Sequence, residues 1–253
     1  MNTVVFSGPT LRPGLRGTFA DPEIKWRPPA KRGDIYLAAS SPDVSVIGLI
    51  DGFFGNVPSV LHKEILWAIE RGCAVFGAAS MGALRAAELH PFGMVGIGAI
   101  FRDFANGRLS RDDEVAIEHG PAELGYPPVS EALVNIRYTL ANAAAHGRIT
   151  EDVRGELAEI AIRTFYPRRS LGDCFDAFNA RHPDNRVSAA ARDWVMQNRV
   201  DQKKLDALEL VAAVRALKHS DAKPARVPFT FHETEFFTDF RASVDNPIVR
   251  DFA

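Results

Sequence analysis

The sequence predicts an α/β fold: a mostly parallel sheet with covering helices in the N-terminal half, followed by a helical C-terminal region. Three observations carry this. Short apolar runs bounded by turn residues recur between residues 4 and 77, as interior strands require. From 44 to 89 strand and helix patterns alternate, the order that produces parallel pairing with crossover helices. Beyond Pro127-Pro128 only helical periodicity remains.

Taken in order, residues 4–7 read as a buried strand closed by Gly8-Pro9-Thr10, and a polar Pro/Gly-rich stretch follows to Asp34. Two short apolar runs, 35–39 and 44–50, read as further strands, the second ended by Asp51-Gly52. Pro58 precedes a helix over 59–70 with Gly72 just past its end, and Leu61, Ile65 and Ala68 form its apolar stripe. Residues 73–77 give the fourth strand, and a helix of small residues runs from Met81 to Leu89. The segment 92–125 is irregular, with a short helix near 100–106. Helices are expected over 130–145, 151–165, 171–180, 189–198 and 201–217, either as a separate bundle or wrapped on the sheet. The aromatic-rich end of the chain is expected to pack back as an extended tail. This divides the chain into 1–126, an α/β core, and 127–253, a mainly helical region packed on it, without internal repeats.

Composition narrows the function. With 253 residues, 46% of them hydrophobic and 25% charged, the chain is an ordinary globular one. It can bury roughly three quarters of its unfolded surface, so it needs no staples to fold. A net charge of −2 offers no electrostatic footprint for nucleic acid. Cys73 and Cys174 lack zinc spacing, which points to a reducing compartment without a disulfide framework. No run approaches the ~20 apolar residues of a membrane helix, and the N-terminus has no basic region of a signal peptide. The expected location is the cytoplasm, away from membranes.

The chemical signal is Ala78-Ala79-Ser80-Met81-Gly82, between a strand and a helix. A nucleophile elbow needs small residues two positions either side of the serine, and Ala78 and Gly82 supply them. The turn projects the hydroxyl, and free N–H groups at the Met81 helix start can hold an oxyanion. The plainer reading makes Ser80 a helix N-cap. For a base, Lys63 lies opposite the Leu61/Ile65/Ala68 stripe but is flanked by Leu66 and Trp67. Partial desolvation there favours the neutral amine that acts as a general base; a lysine that snorkels to solvent is the alternative.

Asp51, at a strand's carboxyl end, shares the rim of the sheet with Ser80, where ligand sites gather. Arg85 and Glu88 are spaced to pair, or Arg85 could hold a substrate carboxylate. Asp112-Asp113-Glu114 invites a metal reading, but no His completes a site, and Arg108 and Arg111 offer ion pairs instead. Gly96-x-Gly98 follows no clear strand and no Walker lysine is present, so nucleotide binding has little support.

These residues also carry a family likeness. Asp51-Gly52-Phe53-Phe54, the run Val57-Pro58-Ser59-Val60-Leu61-His62-Lys63-Glu64 and the run Gly77-Ala78-Ala79-Ser80-Met81-Gly82-Ala83-Leu84-Arg85 resemble the TfuA-like core. Phe92-Gly93-Met94, Asp112-Asp113-Glu114-Val115-Ala116 and His119-Gly120-Pro121 continue it in register, as do the upstream Gly8-Pro9-Thr10 and Arg27-Pro28-Pro29-Ala30. The likeness covers about residues 3–140 and fades beyond.

The resemblance implies a partner of a YcaO protein, the ATP-using enzyme that activates peptide amides, in peptide backbone thioamidation. It implies a hydrolase that releases sulfide from a thiocarboxylated sulfur-carrier protein of the ThiS type and helps YcaO engage its peptide. No cofactor or metal is implied. The family's Ser–Lys pair falls on Ser80 and Lys63, with Met81 at the oxyanion position and Arg85 or His62 placed to orient the anionic tail. Two rivals stand beside it: a non-enzymatic adaptor that recruits YcaO and its peptide or carrier, with Ser80 only a cap, and an unrelated serine hydrolase for small esters.

Overall fold

The computed structural model describes residues 2–16, 21, 23–55, 57–218 and 229–246. Its N-terminal part runs β1 (Asn2–Phe6), α1 (Pro13–Arg16), β2 (Ile24–Arg27), α2 (Asp34–Ser40), β3 (Val44–Leu49), α3 (His62–Glu70), β4 (Ala74–Ala78), α4 (Met81–Leu89), β5 (Val95–Ile97) and α5 (Gly98–Ala105). After an irregular stretch come α6 (Leu133–Ala145), α7 (Glu151–Arg163), α8 (Leu171–Arg181), α9 (Ala189–Gln197), α10 (Gln202–Lys218) and α11 (Glu235–Asp245).

The five strands make one parallel sheet in the order β2-β1-β3-β4-β5. The order reverses between β1 and β3, so the loops leaving their carboxyl ends diverge and open a crevice there. The central strands β1, β3 and β4 are mostly apolar because both faces are covered. Val4, Phe6, Ile47, Leu49 and Val75 pack with residues of α2, α3 and α4, such as Ile35, Ile65 and Ala86. Val5, Val46 and Phe76 pack instead with Ala207, Leu210, Val211 and Val214 of α10.

The helical half therefore does both things the sequence left open. Helices α6 to α9 form a bundle with its own core of Leu133, Ile136, Leu157, Phe175 and Val195, while α10 leaves the bundle and seals the sheet. Thr150, Ser170 and Ser188 each accept a backbone N–H at the start of α7, α8 and α9, which sets where those helices begin. No helix among the described residues is long and apolar enough to cross a membrane.

Four local readings need correction. Residues 35–39 form helix α2, not a strand. Glu64, wholly buried on α3, accepts the N–H groups of Gly33, Ile35 and Tyr36 at the helix start, so a tertiary contact decides a run too short for its periodicity to decide. The chain end is helical over Glu235–Asp245, with Phe237 and Phe240 buried against Tyr36, whereas an extended tail was expected. Gly96-Ile97-Gly98 spans the junction of a strand and a helix, since β5 runs Val95–Ile97 and α5 begins at Gly98. Helix α3 starts at His62, three residues after its expected start.

Glu64 also takes the Leu61 N–H at 2.7 Å. Burial pushes its carboxyl up to about 7, against the pull of the N–H donors at Leu61, Gly33 and Tyr36. Because the folded-state pKa is raised, the stability linked to this group is fully present below the unfolded value of 4.5 and is lost as pH rises through about 7. Glu64→Ala strands several buried donors and is expected to cost about 3 kcal/mol or more. Urea titrations from pH 4 to 8 check both points, since the variant loses this pH dependence along with the stability.

Candidate functional site

The crevice at the carboxyl edge is organised by Asp51, which ends β3 and is buried. Its Oδ2 accepts the Gly8 N–H at 2.8 Å, the Thr10 N–H at 3.0 Å and the Ser7 hydroxyl at 3.2 Å, and its Oδ1 accepts the Thr10 hydroxyl at 2.6 Å. The Gly8-Pro9-Thr10 word is thus a loop folded around one carboxylate. Asp51 shapes the rim, with its lone pairs committed to the protein.

Ser80 follows β4 through a sharp turn. The Ser80 N–H reaches back to Ala78 O at 2.8 Å, and Ala79 between them holds φ +66°, a left-handed conformation rare for a residue with a Cβ. Such strain costs about 1–3 kcal/mol and collects at functional sites. The turn also needs close approach of β3, β4 and α4. A Cβ on Gly82 would lie 1.8 Å from Leu49 O, and one on Gly77 would lie 2.2 Å from Gly82 O. The small residues required are therefore Gly77 and Gly82, at the contact between strand and helix.

Ser80 occupies the N-cap position of α4, yet its hydroxyl makes no capping bond. That sets it apart from Thr150, Ser170 and Ser188. The Gly82 N–H goes to Ile50 O, and those of Ala83 and Leu84 return to Ser80 O. Among the described residues, this leaves the Met81 N–H as the first-turn donor with no backbone acceptor. The Ser80 hydroxyl points instead at Val115 O, 3.5 Å away, the outer limit of a hydrogen bond.

The same carbonyl receives the ammonium of Lys203, whose Nζ donates to Val115 O at 2.8 Å. Lys203 stands near the start of α10 and is buried. Burial lowers its pKa from the ordinary 10.5, and the negative charge of Asp51 offsets only part of this. Ser80, Lys203 and Asp51 line one cavity of about 180 Å³, closed by Phe53, His119 and Tyr166.

Val115 is held by the acidic run before it. Glu114 binds Arg137 through two bonds of 2.9 Å, and Asp113 binds Arg111 and the wholly buried Arg169, each at 2.8 Å. Arg169 also donates to Ala161 O, Thr164 O and Asp113 O, tying the run to the bundle. Asp112-Asp113-Glu114 is thus an ion-paired support, in which Arg111 takes part as expected while Arg108 pairs with Asp103. Among the described residues no cluster of His, Cys, Asp and Glu could hold a metal ion.

The structure does not bring Lys63 to Ser80. Helix α11 packs beside α3, and Lys63 Nζ donates to His232 O at 2.6 Å and Thr234 Oγ1 at 3.0 Å, with the faces of Phe231 and Phe237 nearby. Its role there is to anchor the chain end. His62 and Arg85 also lie outside the Ser80 cavity. Both bind Glu88 at 2.8 Å, and Arg85 lines a neighbouring cavity with Glu88, Arg111 and the Met81 side chain.

Lys203 was missed, although the sequence holds a signal for it. Ala207, Leu210 and Val214 form the buried stripe of α10, and Lys203 lies one turn before Ala207 on the same face. A lysine on the core side of a helix is the anomaly to look for.

Residues 51–170 match a family model described as TfuA-like protein. The matched span contains Asp51, Ser80, Val115 and His119, and stops short of Lys203. A search of curated proteins found no match.

Proposed function

From the match of residues 51–170 to the TfuA-like family, we propose that this chain acts as a TfuA-like protein and hydrolyses the thiocarboxylate of a ThiS-type sulfur-carrier protein, releasing sulfide for YcaO-dependent backbone thioamidation. The observation that carries this reading is the convergence of Ser80 Oγ and Lys203 Nζ on one carbonyl, in a cavity at the carboxyl edge of the sheet.

Among the described residues no carboxylate makes ion-pair contact with the buried Lys203, which drives it toward its neutral form, and a neutral amine is a general base. In the proposed reaction Lys203 takes the proton of Ser80 as Oγ attacks the thiocarboxylate carbon. The Met81 N–H, at the positive end of α4, stabilises the tetrahedral oxyanion. Collapse of that species expels the sulfur and leaves an acyl-serine, which water then hydrolyses to the carrier carboxylate. Arg85 and His62 have no part in this scheme, because Glu88 already engages both.

Sulfide release from the thiocarboxylated carrier, with no YcaO present, tests the proposal. The purified chain should release sulfide catalytically, and failure with several ThiS-type carriers would favour the adaptor alternative. The pH dependence follows from Lys203. Acylation requires the neutral amine, so kcat/KM for an aryl thioester of the carrier, whose thiolate leaves without a proton, climbs with pH through the lowered Lys203 pKa and levels off before an ordinary lysine, at 10.5, would lose its proton. A profile still climbing steeply through 10.5 would remove Lys203 as the base.

A further inference from the structure

His119, the first residue of the His119-Gly120-Pro121 word, lines the cavity, and its geometry is held from several sides. The backbone at His119 pairs with Pro128 in an isolated bridge, and the Gly120 N–H donates to Pro127 O at 2.7 Å. On the side chain, Nδ1 lies 2.9 Å from Gly120 O. A carbonyl oxygen only accepts, so Nδ1 carries a hydrogen and the exchangeable position is Nε2. Among the described residues no partner is placed on Nε2.

Two rings hold the imidazole in this pose. Phe53 stands 6.0 Å away, and Tyr126 meets the imidazole edge-on at 5.4 Å. Tyr126 itself has φ +57°, a left-handed conformation costly for a bulky residue. A strained tyrosine that fixes a histidine beside Ser80 and Lys203 fits a functional site better than a random loop.

The chemistry of the substrate supplies a task for this nitrogen. A thiocarboxylate anion cannot expel its sulfur as a bare dianion, so a proton must reach sulfur as the C–S bond breaks. Lys203 enters the step neutral and takes the Ser80 proton. Imidazole is the side chain that exchanges protons near neutral pH.

Resting on the hydrolase reading above, we propose that His119 Nε2 is the general acid that protonates the departing sulfur, and the base that activates water in the following step. In the first half, the Ser80 proton passes to Lys203, Oγ bonds to the acyl carbon, and the His119 proton goes to sulfur, which leaves as hydrosulfide. Lys203 is then protonated and His119 neutral. In the second half, His119 takes a proton from water as its oxygen bonds to the acyl carbon. The ester bond breaks, Ser80 recovers its proton from Lys203, and the carrier leaves as its carboxylic acid, which ionises. Both groups return to their starting forms.

The test uses His119→Gln and His119→Phe, with two substrates for each: the thiocarboxylated carrier and an aryl thioester of the same carrier, whose thiolate leaves without a proton. Rapid-quench measurement of the acylation burst is expected to show a loss on the order of 10²-fold or more with the thiocarboxylate. The aryl thioester burst should stay within a few-fold of wild type, followed by slow turnover. Equal loss with both substrates, or with neither, overturns the assignment. A wild-type protein that acylates with neither substrate overturns the hydrolase reading, and this role with it.

Discussion

Ser80→Ala is expected to abolish sulfide release, lowering kcat on the order of 10⁴-fold or more, while leaving the fold and its stability almost unchanged. The two halves of this expectation come from one observation. A serine that capped α4 would cost roughly 1 kcal/mol on conversion to alanine. The Ser80 hydroxyl makes no capping bond, and among the described residues its one hydrogen bond is the long approach to Val115 O. Removing it should change stability by no more than about 0.5 kcal/mol. Activity lost without stability lost marks a nucleophile; the reverse pattern would return Ser80 to a structural part. Thermal melts and sulfide assays on the same preparations read both quantities.

Lys203→Met tests the lysine proposed as the base against Lys63, the one the sequence suggested. Methionine fills nearly the same volume without a charge, and replacing a buried charge by an apolar side chain is often neutral or stabilising. The variant should fold as well as wild type or better, with activity reduced about 10²–10⁴-fold, the span of a general base. The linkage has a definite sign. Burial depresses the folded-state pKa of Lys203, so the stability it contributes is present above the unfolded value of 10.5 and is lost as pH falls through the folded value. The stability advantage of Lys203→Met should therefore widen toward lower pH. Lys63→Ala provides the contrast: activity persists, and amide exchange quickens in α11 as the chain end loses its anchor at His232 O and Thr234 Oγ1. Loss of activity in Lys63→Ala with Lys203→Met still active would exchange the two roles.

What the sequence made legible follows from how locally each feature is determined. Strands β1, β3 and β4 are apolar runs with turn residues at their ends, and α4 announces itself through small residues next to a serine. Strand β2 hid in the Pro/Gly-rich stretch because it lies at the edge of the sheet, where Lys25 and Arg27 face solvent and break the apolar run. Strand β5 is a three-residue edge strand with a central glycine. Helix α2 depends on Glu64, a residue 28 to 31 positions away, so no window centred on 35–39 contains the reason for it.

The site shows the same division. The placement of Ser80, Asp51 and the Met81 turn at the rim was readable, since each lies at the end of a strand in a parallel sheet. That Lys203 shares the cavity with Ser80 was not, because it depends on which helix covers the rim. Helix α10 arrives there from a start 122 positions beyond the serine, and its apolar stripe matches the second face of the sheet. The same applies to Val115, whose carbonyl joins the two groups through a loop that ion pairs, not secondary structure, hold in place.

The central claim, that Ser80 attacks a thiocarboxylate with Lys203 as its base, is tested most directly by catching the acyl-serine. Rapid mixing with a thiocarboxylated ThiS-type carrier, acid quench and mass mapping of the adduct should find the carrier joined to Ser80 as an ester that lacks the sulfur. Hydrosulfide should appear in equal amount, and both products should form about 10²–10⁴-fold more slowly with Lys203→Met. Turnover with no adduct at Ser80, or an adduct formed at the wild-type rate in Lys203→Met, would contradict the account.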